Sequence, residues 1–384
     1  PLDDLADLAR HPFTLPADLV RADPPLAAVS GGAIERVVTL PTSGTTGPAK
    51  RLHFTAEEIE ATLEFFRAGM AIFTRPGDRV AVAFAADRPG GVAAGLDVAL
   101  RRLGAAPLQI PTDADPEAVA AFLRRERPDV IAGPPVRLLA AARAAAADGA
   151  APIRIRAALV SSDGAASALK RALAVLWDCD VFDHWGMTET GFGGAVECEH
   201  HHGLHLREAD LLVEIVSPTT GEPLPEGAEG EIVLTTLGPR AVPLVRYRTG
   251  DLGRRLDAPC PCGSRLARLL GPIRRLDEAV EPVVGVRVAA SDLDETLFAL
   301  PDVCDVAATA SPGRLAVRIA APPAARGEAL RARAAAALAA IPALAAAIDD
   351  GRLALDVAIA DVAIFPTPGK RRIRSEEGPC ASSG

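Results

Sequence analysis

Aromatic side chains are scarce: the 384 residues include 11 Phe, 2 Trp and a single Tyr. With a formal net charge of -9, that argues against nucleic-acid binding, which calls for bases stacked on aromatics along a basic face. Long apolar runs are missing too. The run at 80–86 and the alanine runs break well before the ~18 residues that a membrane span requires. The N-terminus, Pro1-Leu2-Asp3-Asp4, is acidic and lacks the basic and apolar regions of a signal peptide. Six cysteines are too few for a disulfide framework, which leaves metal binding or plain burial. The expectation is a soluble, cytoplasmic protein with no nucleic-acid or membrane partner. Oligomeric state is not legible in any of these features.

What is present is enough to build large cores. Hydrophobic residues make up 49% of the chain, and its length suits about two domains of ~100–200 residues each. Much of the apolar content is alanine, the best helix former, so its runs read as helix.

Prolines 12, 16, 24 and 25 break up the first 36 residues, which read as a loop-rich lead-in. Arg36-Val37-Val38-Thr39-Leu40 then reads as a buried strand. A helix is expected over 55–66, with Thr55 as its cap and Glu58 three residues later. Further on, strand-like runs at 80–86, 108–110, 130–132 and 155–161 alternate with helical patterns at 116–125 and 135–147. That alternation predicts an α/β domain with a largely parallel sheet. After Leu206 successive strands follow, at 211–216 and 230–235, separated by a Gly/Pro-rich turn at 217–227. A smaller unit begins near residue 276, with strand-like 283–288 and 303–308 and an alanine-rich helix over 327–340.

Four segments carry chemistry. The first is Thr42-Ser43-Gly44-Thr45-Thr46-Gly47-Pro48-Ala49-Lys50. Strand, glycine- and hydroxyl-rich turn, then helix is a context in which backbone N–H groups and a cation hold phosphate. Its spacing is not that of a Walker loop, and a flexible turn is the other reading. In Asp183-His184-Trp185-Gly186-Met187-Thr188-Glu189 a carboxylate beside a hydroxyl suits a magnesium-nucleotide, and a capped helix start fits equally. Tyr247-Arg248-Thr249-Gly250-Asp251 presents a carboxylate after a tight turn, as an acceptor for both hydroxyls of a ribose or as an ordinary turn. Pro366-Thr367-Pro368-Gly369-Lys370, followed by Arg371, Arg372 and Arg374, is a rigid turn presenting a lysine or a solvated basic tail.

In this order the four segments resemble the adenylate-forming superfamily of acyl-CoA synthetases, over about residues 37–374. The first is similar to that family's phosphate loop, with Pro48 one place before the usual proline. Trp185 to Glu189 resembles its aromatic-Gly-x-Thr-Glu motif, with Trp in the usual Tyr place. Tyr247 to Asp251 resembles its ribose-binding turn, and Pro366 to Lys370 its catalytic-lysine turn. Arg275-Leu276-Asp277 looks like its interdomain hinge, although Arg274 replaces the customary glycine. Three features look most like the phenylacetate-CoA ligase branch: Cys198…Gly203-Leu204-His205, Thr220-Gly221-Glu222-Pro223 and Cys260-Pro261-Cys262-Gly263. About 40 residues precede the phosphate loop, fewer than that branch usually has, which implies that part of its N-terminal subdomain is absent.

The resemblance implies a large α/β domain with an added β subdomain over 1–276, and a smaller, mobile α+β domain over 277–384 that carries the catalytic lysine. It implies an AMP-forming ligase that uses ATP and magnesium to turn a carboxylic acid into an acyl-adenylate. Transfer to a thiol, with coenzyme A the expected one, follows. Ser43, Thr45, Thr46, Lys50 and Lys370 would meet phosphate charge, with Thr42, Gly44 and Gly47 in the same loop. Thr188 would touch the α-phosphate and Glu189 would hold magnesium. Asp251 would bind ribose, helped by Arg275, with Trp185 and Gly186 beside the nucleotide. Asp163 and Gly164 are weaker candidates for the adenine side, and Asp277 for the pivot. A carrier-protein thiol or an amine as acceptor, or a non-catalytic nucleotide or acyl-adenylate binder, are the alternatives. A positioned Lys370 speaks against the binder.

Four of the seven histidines, His200, His201, His202 and His205, follow closely on Cys198. Cys260-Pro261-Cys262 sets two thiols too close in sequence for a comfortable disulfide. Three thiolates and an imidazole are a normal tetrahedral zinc set, so Cys198, His205, Cys260 and Cys262 form a candidate structural zinc site. His205 is preferred because the Gly203-Leu204-His205 resemblance falls there. The other reading is of buried thiols in a tight turn beside a solvated histidine loop.

Overall fold

The computed structural model describes residues 5–21, 27–40, 50–86, 90–362 and 371–375. The chain divides into two units, each assembled from separated stretches. Unit 1 comprises Pro1–Gly77, Arg88–Pro107 and Phe182–Leu276, and unit 2 comprises Asp78–Asp87, Leu108–Val181 and Asp277–Gly384. One break between stretches falls between Leu276 and Asp277, and unit 2 also takes in two earlier stretches.

Unit 1 is built on strands in the order Leu211–Val216, Gly230–Thr236, Tyr247–Leu256, Arg268–Arg275, Leu204–Leu206, Ala195–Glu197 and Asp180–Trp185. Every pairing in that series is antiparallel. Alternation along these strands buries Val213 and Ile215 in one core with Trp185, Tyr247 and Leu269, as a period of two requires. Helix Ala56–Met70 starts where the sequence places it. Thr55 accepts from the Glu58 N–H and the Glu58 carboxylate accepts from the Thr55 N–H, a closed capping box. Arg36–Leu40 is a strand, as expected, but it is not buried. Among the described residues it pairs only with Lys50–Phe54, and Val37 stays 50% exposed because a two-stranded ribbon has one face to pack.

Unit 2 contains the α/β layer. Its strands Arg79–Val82, Val130–Gly133 and Ala157–Val160 pair in parallel and, past Arg79, are continuous apolar runs, as sheets covered on both faces are. Helices Pro116–Glu126, Pro135–Ala147 and Ser167–Trp177 pack on one another beside them. Within the same unit, strands Ala354–Ala360, Arg314–Ala320, Asp305–Ser311 and Arg374–Ser375 lie in that order, next to helices Ala290–Phe298, Glu328–Ala339 and Pro342–Asp349. The run at 283–288, read as one strand, is a hairpin instead. Ala279–Val283 turns into Val286–Ala289 through Gly285 at φ +78°, a left-handed backbone that glycine adopts without a Cβ clash. Among the described residues no single helix is long and apolar enough to cross a membrane.

Candidate functional site

Lys50 opens the strand Lys50–Phe54, and Glu189 lies on the short turn Thr188–Thr190 after the strand Asp180–Trp185. The Lys50 ammonium donates to Glu189 Oε1 at 2.5 Å and to the Tyr247 hydroxyl at 3.1 Å, and that hydroxyl donates to the same Oε1 at 2.7 Å. Burial by itself would raise the Glu189 carboxyl, but the Lys50 charge and the bonds from Lys50 and Tyr247 outweigh it and hold it below the usual carboxylate range. Burial, then the neighbouring carboxylate, pushes the Tyr247 phenol far above its ordinary value, so it stays a donor. Gly186 makes the approach to this turn: a Cβ there would lie 2.4 Å from the Phe192 carbonyl oxygen. Thr188 is half-buried on the same turn.

Asp251 lies in the same unit and is 2% exposed. Register sets it opposite Arg275 on the neighbouring strand. The Arg275 guanidinium donates to Asp251 Oδ1 at 2.7 Å and to the Thr249 carbonyl at 2.9 Å, while the Trp185 indole N–H donates to Oδ2 at 2.9 Å. Thus Lys50, Trp185, Gly186, Thr188, Glu189, Asp251 and Arg275 belong to unit 1, and three of the predicted segments meet through side-chain bonds. A cavity that holds no more than about one water adjoins Glu189, lined by Phe54, Glu58, Thr62, Arg207 and Arg240 among others. Thr42, Ser43, Gly44, Thr45, Thr46, Gly47 and Lys370 lie outside the described residues.

Asp163 and Gly164 belong to unit 2. Asp163 Oδ1 accepts from the backbone N–H of Gly164 at 3.0 Å and of Arg371 at 3.3 Å. Burial pushes its carboxyl up to about 6, against the opposing pull of the Arg371 charge.

The cysteines and histidine come together in unit 1. The strand Leu204–Leu206 pairs on one side with Ala195–Glu197 and on the other with Arg268–Arg275, so the turn after Cys198 meets the turn that holds Cys260 and Cys262. Gly203, at φ +98°, makes this crossing, since a Cβ there would lie 2.8 Å from the Leu269 carbonyl oxygen. Arg268 ties the two turns, donating to the carbonyls of His202 and Ala258 at 2.7 and 2.9 Å. One donor atom from each of Cys198, His205, Cys260 and Cys262 lies within 4.8 Å of the other three. Cys198 Sγ is 3.7 Å from Cys260 Sγ, and Cys262 Sγ is 3.5 Å from His205 Nε2. Tetrahedral zinc with Zn–S of ~2.3 Å and Zn–N of ~2.0–2.1 Å requires edges of about 3.8 and 3.6 Å. His200, His201 and His202 are exposed.

The family model for the AMP-binding enzyme matches residues 20–239. The chain belongs to that family. Within it, the phenylacetate-coenzyme A ligase of Thermus thermophilus is 31% identical over 306 residues, which is 78% of this chain and 67% of that protein. The phenylacetate-coenzyme A ligase of Pseudomonas putida is 30% identical over 79% of this chain and 68% of its own length. These likenesses set the chain in the phenylacetate-CoA ligase-like branch. Among solved structures, a 2-hydroxyisobutyryl-CoA ligase in the postadenylation state, in complex with R3-HIB-AMP, superposes with a TM-score of 0.79 at 19% identity. That superposition covers 98% of this chain and 82% of the other, and it shows the shared fold.

Sequence reasoning missed Tyr247 as a partner of Lys50 and Glu189, and Trp185 as a donor to Asp251. One signal was available for Tyr247: it is the chain's single tyrosine and opens the turn motif.

Proposed function

We infer that this AMP-binding enzyme activates a carboxylic acid with ATP and passes the acyl group to the thiol of coenzyme A. An acid oxygen attacks the α-phosphorus, the bond to the bridging oxygen breaks, and pyrophosphate leaves. The thiol sulfur then takes the acyl carbon, its proton passes to solvent, and AMP departs. The observation that carries the reading is the bonded cluster of Lys50, Glu189 and Tyr247, with Trp185, Asp251 and Arg275 beside it. Three segments that match the superfamily's nucleotide motifs are joined there.

In this reading Glu189 holds magnesium, which when bound neutralises phosphate charge. The fit rests on the Lys50 ammonium, which keeps Glu189 ionised and sits where a hard cation would bind a carboxylate. Thr188 meets the α-phosphate, and Thr42, Ser43, Gly44, Thr45, Thr46 and Gly47 cradle the outer phosphates. Asp251 and Arg275 orient the ribose, with Asp163 and Gly164 on the adenine side and Lys370 supplying charge to the transition state. The division into 1–276 and 277–384, with Asp277 as pivot, belongs to the same proposal, as does a cytoplasmic location, which cell fractionation tests.

Zinc at Cys198, His205, Cys260 and Cys262 is the structural part of the proposal, supported by the near-tetrahedral edges. It would tie two distant turns together and contribute to folding rather than to catalysis. Pyrophosphate release with a panel of aliphatic and aryl acids, with and without coenzyme A, tests the activity. Release that no acid stimulates would overturn it.

A further inference from the structure

The residue after Lys370 in the sequence is held by an unusually complete set of bonds. The Arg371 guanidinium donates to Asp294 through Nε at 2.9 Å and through Nη2 at 2.7 Å. Nη1 donates to Asp305 Oδ1 at 2.6 Å, and Nη2 also to the Val306 carbonyl at 2.9 Å. Asp294 and Asp305 are 6% and 1% exposed, and the guanidinium lies 5.4 Å from the centre of the Phe298 ring. Two buried carboxylates this close repel each other, and the planar fork of an arginine is the side chain that satisfies both. Beyond it, Ile373 is buried and Arg374–Ser375 pairs in parallel with Asp305–Ser311. Upstream, the Arg371 N–H donates to Asp163, on the stretch Leu108–Val181 of the same unit.

A basic tail trailing in solvent needs none of this. Arg372 and Arg374 are exposed; Arg371 alone of the three is turned inward.

We propose that Arg371 is a positioning residue: by locking into Asp294 and Asp305 it fixes the chain one peptide from Lys370 and so sets where that lysine is delivered. The inference rests on the reading of Lys370 as the catalytic lysine. A lysine on a long, flexible stem contributes charge only if its backbone is held, and misplacement by about 1 Å costs on the order of 10²-fold in rate.

The test separates the two half-reactions. Arg371→Lys keeps the charge and loses the fork, and Asp294→Asn keeps the shape and loses one charge, so both are chosen to fold, which a thermal melt checks. The expected result is that each lowers acid-dependent pyrophosphate release about tenfold or more, leaves thiolysis of added acyl-adenylate unchanged, and speeds amide hydrogen exchange over 371–375. Added to Lys370→Ala, Arg371→Lys should cause no further loss, because nothing remains to be positioned. Wild-type pyrophosphate release in both single variants, beside a strong loss in Lys370→Ala, overturns the positioning role and leaves the lysine reading standing. Full release in Lys370→Ala overturns the lysine reading, and the positioning role with it. Equal losses in both half-reactions mean a purely structural clamp and also overturn the proposal.

Discussion

Two clusters in unit 1 solve opposite electrostatic problems. Around Glu189 the protein supplies its own cation: Lys50 and Tyr247 satisfy one carboxylate oxygen and keep it ionised. Around Cys198, His205, Cys260 and Cys262, four metal-ligating atoms converge at tetrahedral spacing with no protein cation bonded to any of them among the described residues. On the proposed reading the first would be an exchangeable site, where an incoming cation displaces an ammonium. The second would be a fixed site, where a bound metal ties two turns together. Function should therefore respond to the first cluster and stability to the second.

The largest effect should come from the exchangeable site. Glu189→Gln leaves the Lys50 charge buried without its partner and gives magnesium a neutral amide, so acid-dependent pyrophosphate release should fall ~10²–10³-fold. Steady-state kinetics across a magnesium titration checks this, and a variant that keeps its rate would remove Glu189 from the chemistry. At the fixed site, Cys260→Ser should lower zinc from about one per chain to well below that and lower the melting temperature. The rate per folded molecule should hold. Elemental analysis of untagged protein with calorimetry reads both, and wild-type protein carrying well below one zinc per chain would end the comparison.

How much of this was legible in the sequence differs by the kind of contact. The helix start at Thr55 and Glu58 was legible because a capping box spans only four residues. The Cys/His set was legible because few side chains bind zinc and the family resemblance singled out His205 among four clustered histidines. The Lys50–Tyr247 bond spans 197 positions, and the bonds of Arg371 to Asp294 and Asp305 span 77 and 66, so only the folded chain reveals them. The Asp251 turn was read from its own residues, and the donors Trp185 and Arg275 arrive from other strands. The exposure of Val37 likewise depends on how many strands join the ribbon, which no local pattern encodes.

A smaller effect is expected at Asp251. Because Trp185 and Arg275 already hold its carboxylate, Asp251→Ala should weaken ATP binding by roughly tenfold, the order of one charged hydrogen bond. Calorimetry measures this, and unchanged affinity would take Asp251 out of the site. The effect expected at Asp163 is one of stability rather than of activity. Its folded carboxyl sits near 6, above the ~3.9 of an unfolded aspartate. The folded state therefore binds more protons, and stability should fall as pH rises from about 4 to 6 and level off above. Asp163→Asn, which still accepts the Arg371 N–H, should flatten that slope and gain up to ~3 kcal/mol at neutral pH by ~1.4 kcal/mol per pH unit. Denaturant unfolding across that pH range decides it.

On the proposed mechanism the Lys50–Glu189 cluster serves acid activation before any thiol takes part. Exchange of radiolabelled pyrophosphate into ATP, run without thiol, tests it most directly. Exchange should depend on a carboxylic acid and on magnesium, need no coenzyme A, and collapse in Glu189→Gln. Exchange that is absent with every acid tried, or that appears only when a thiol is added, would contradict it.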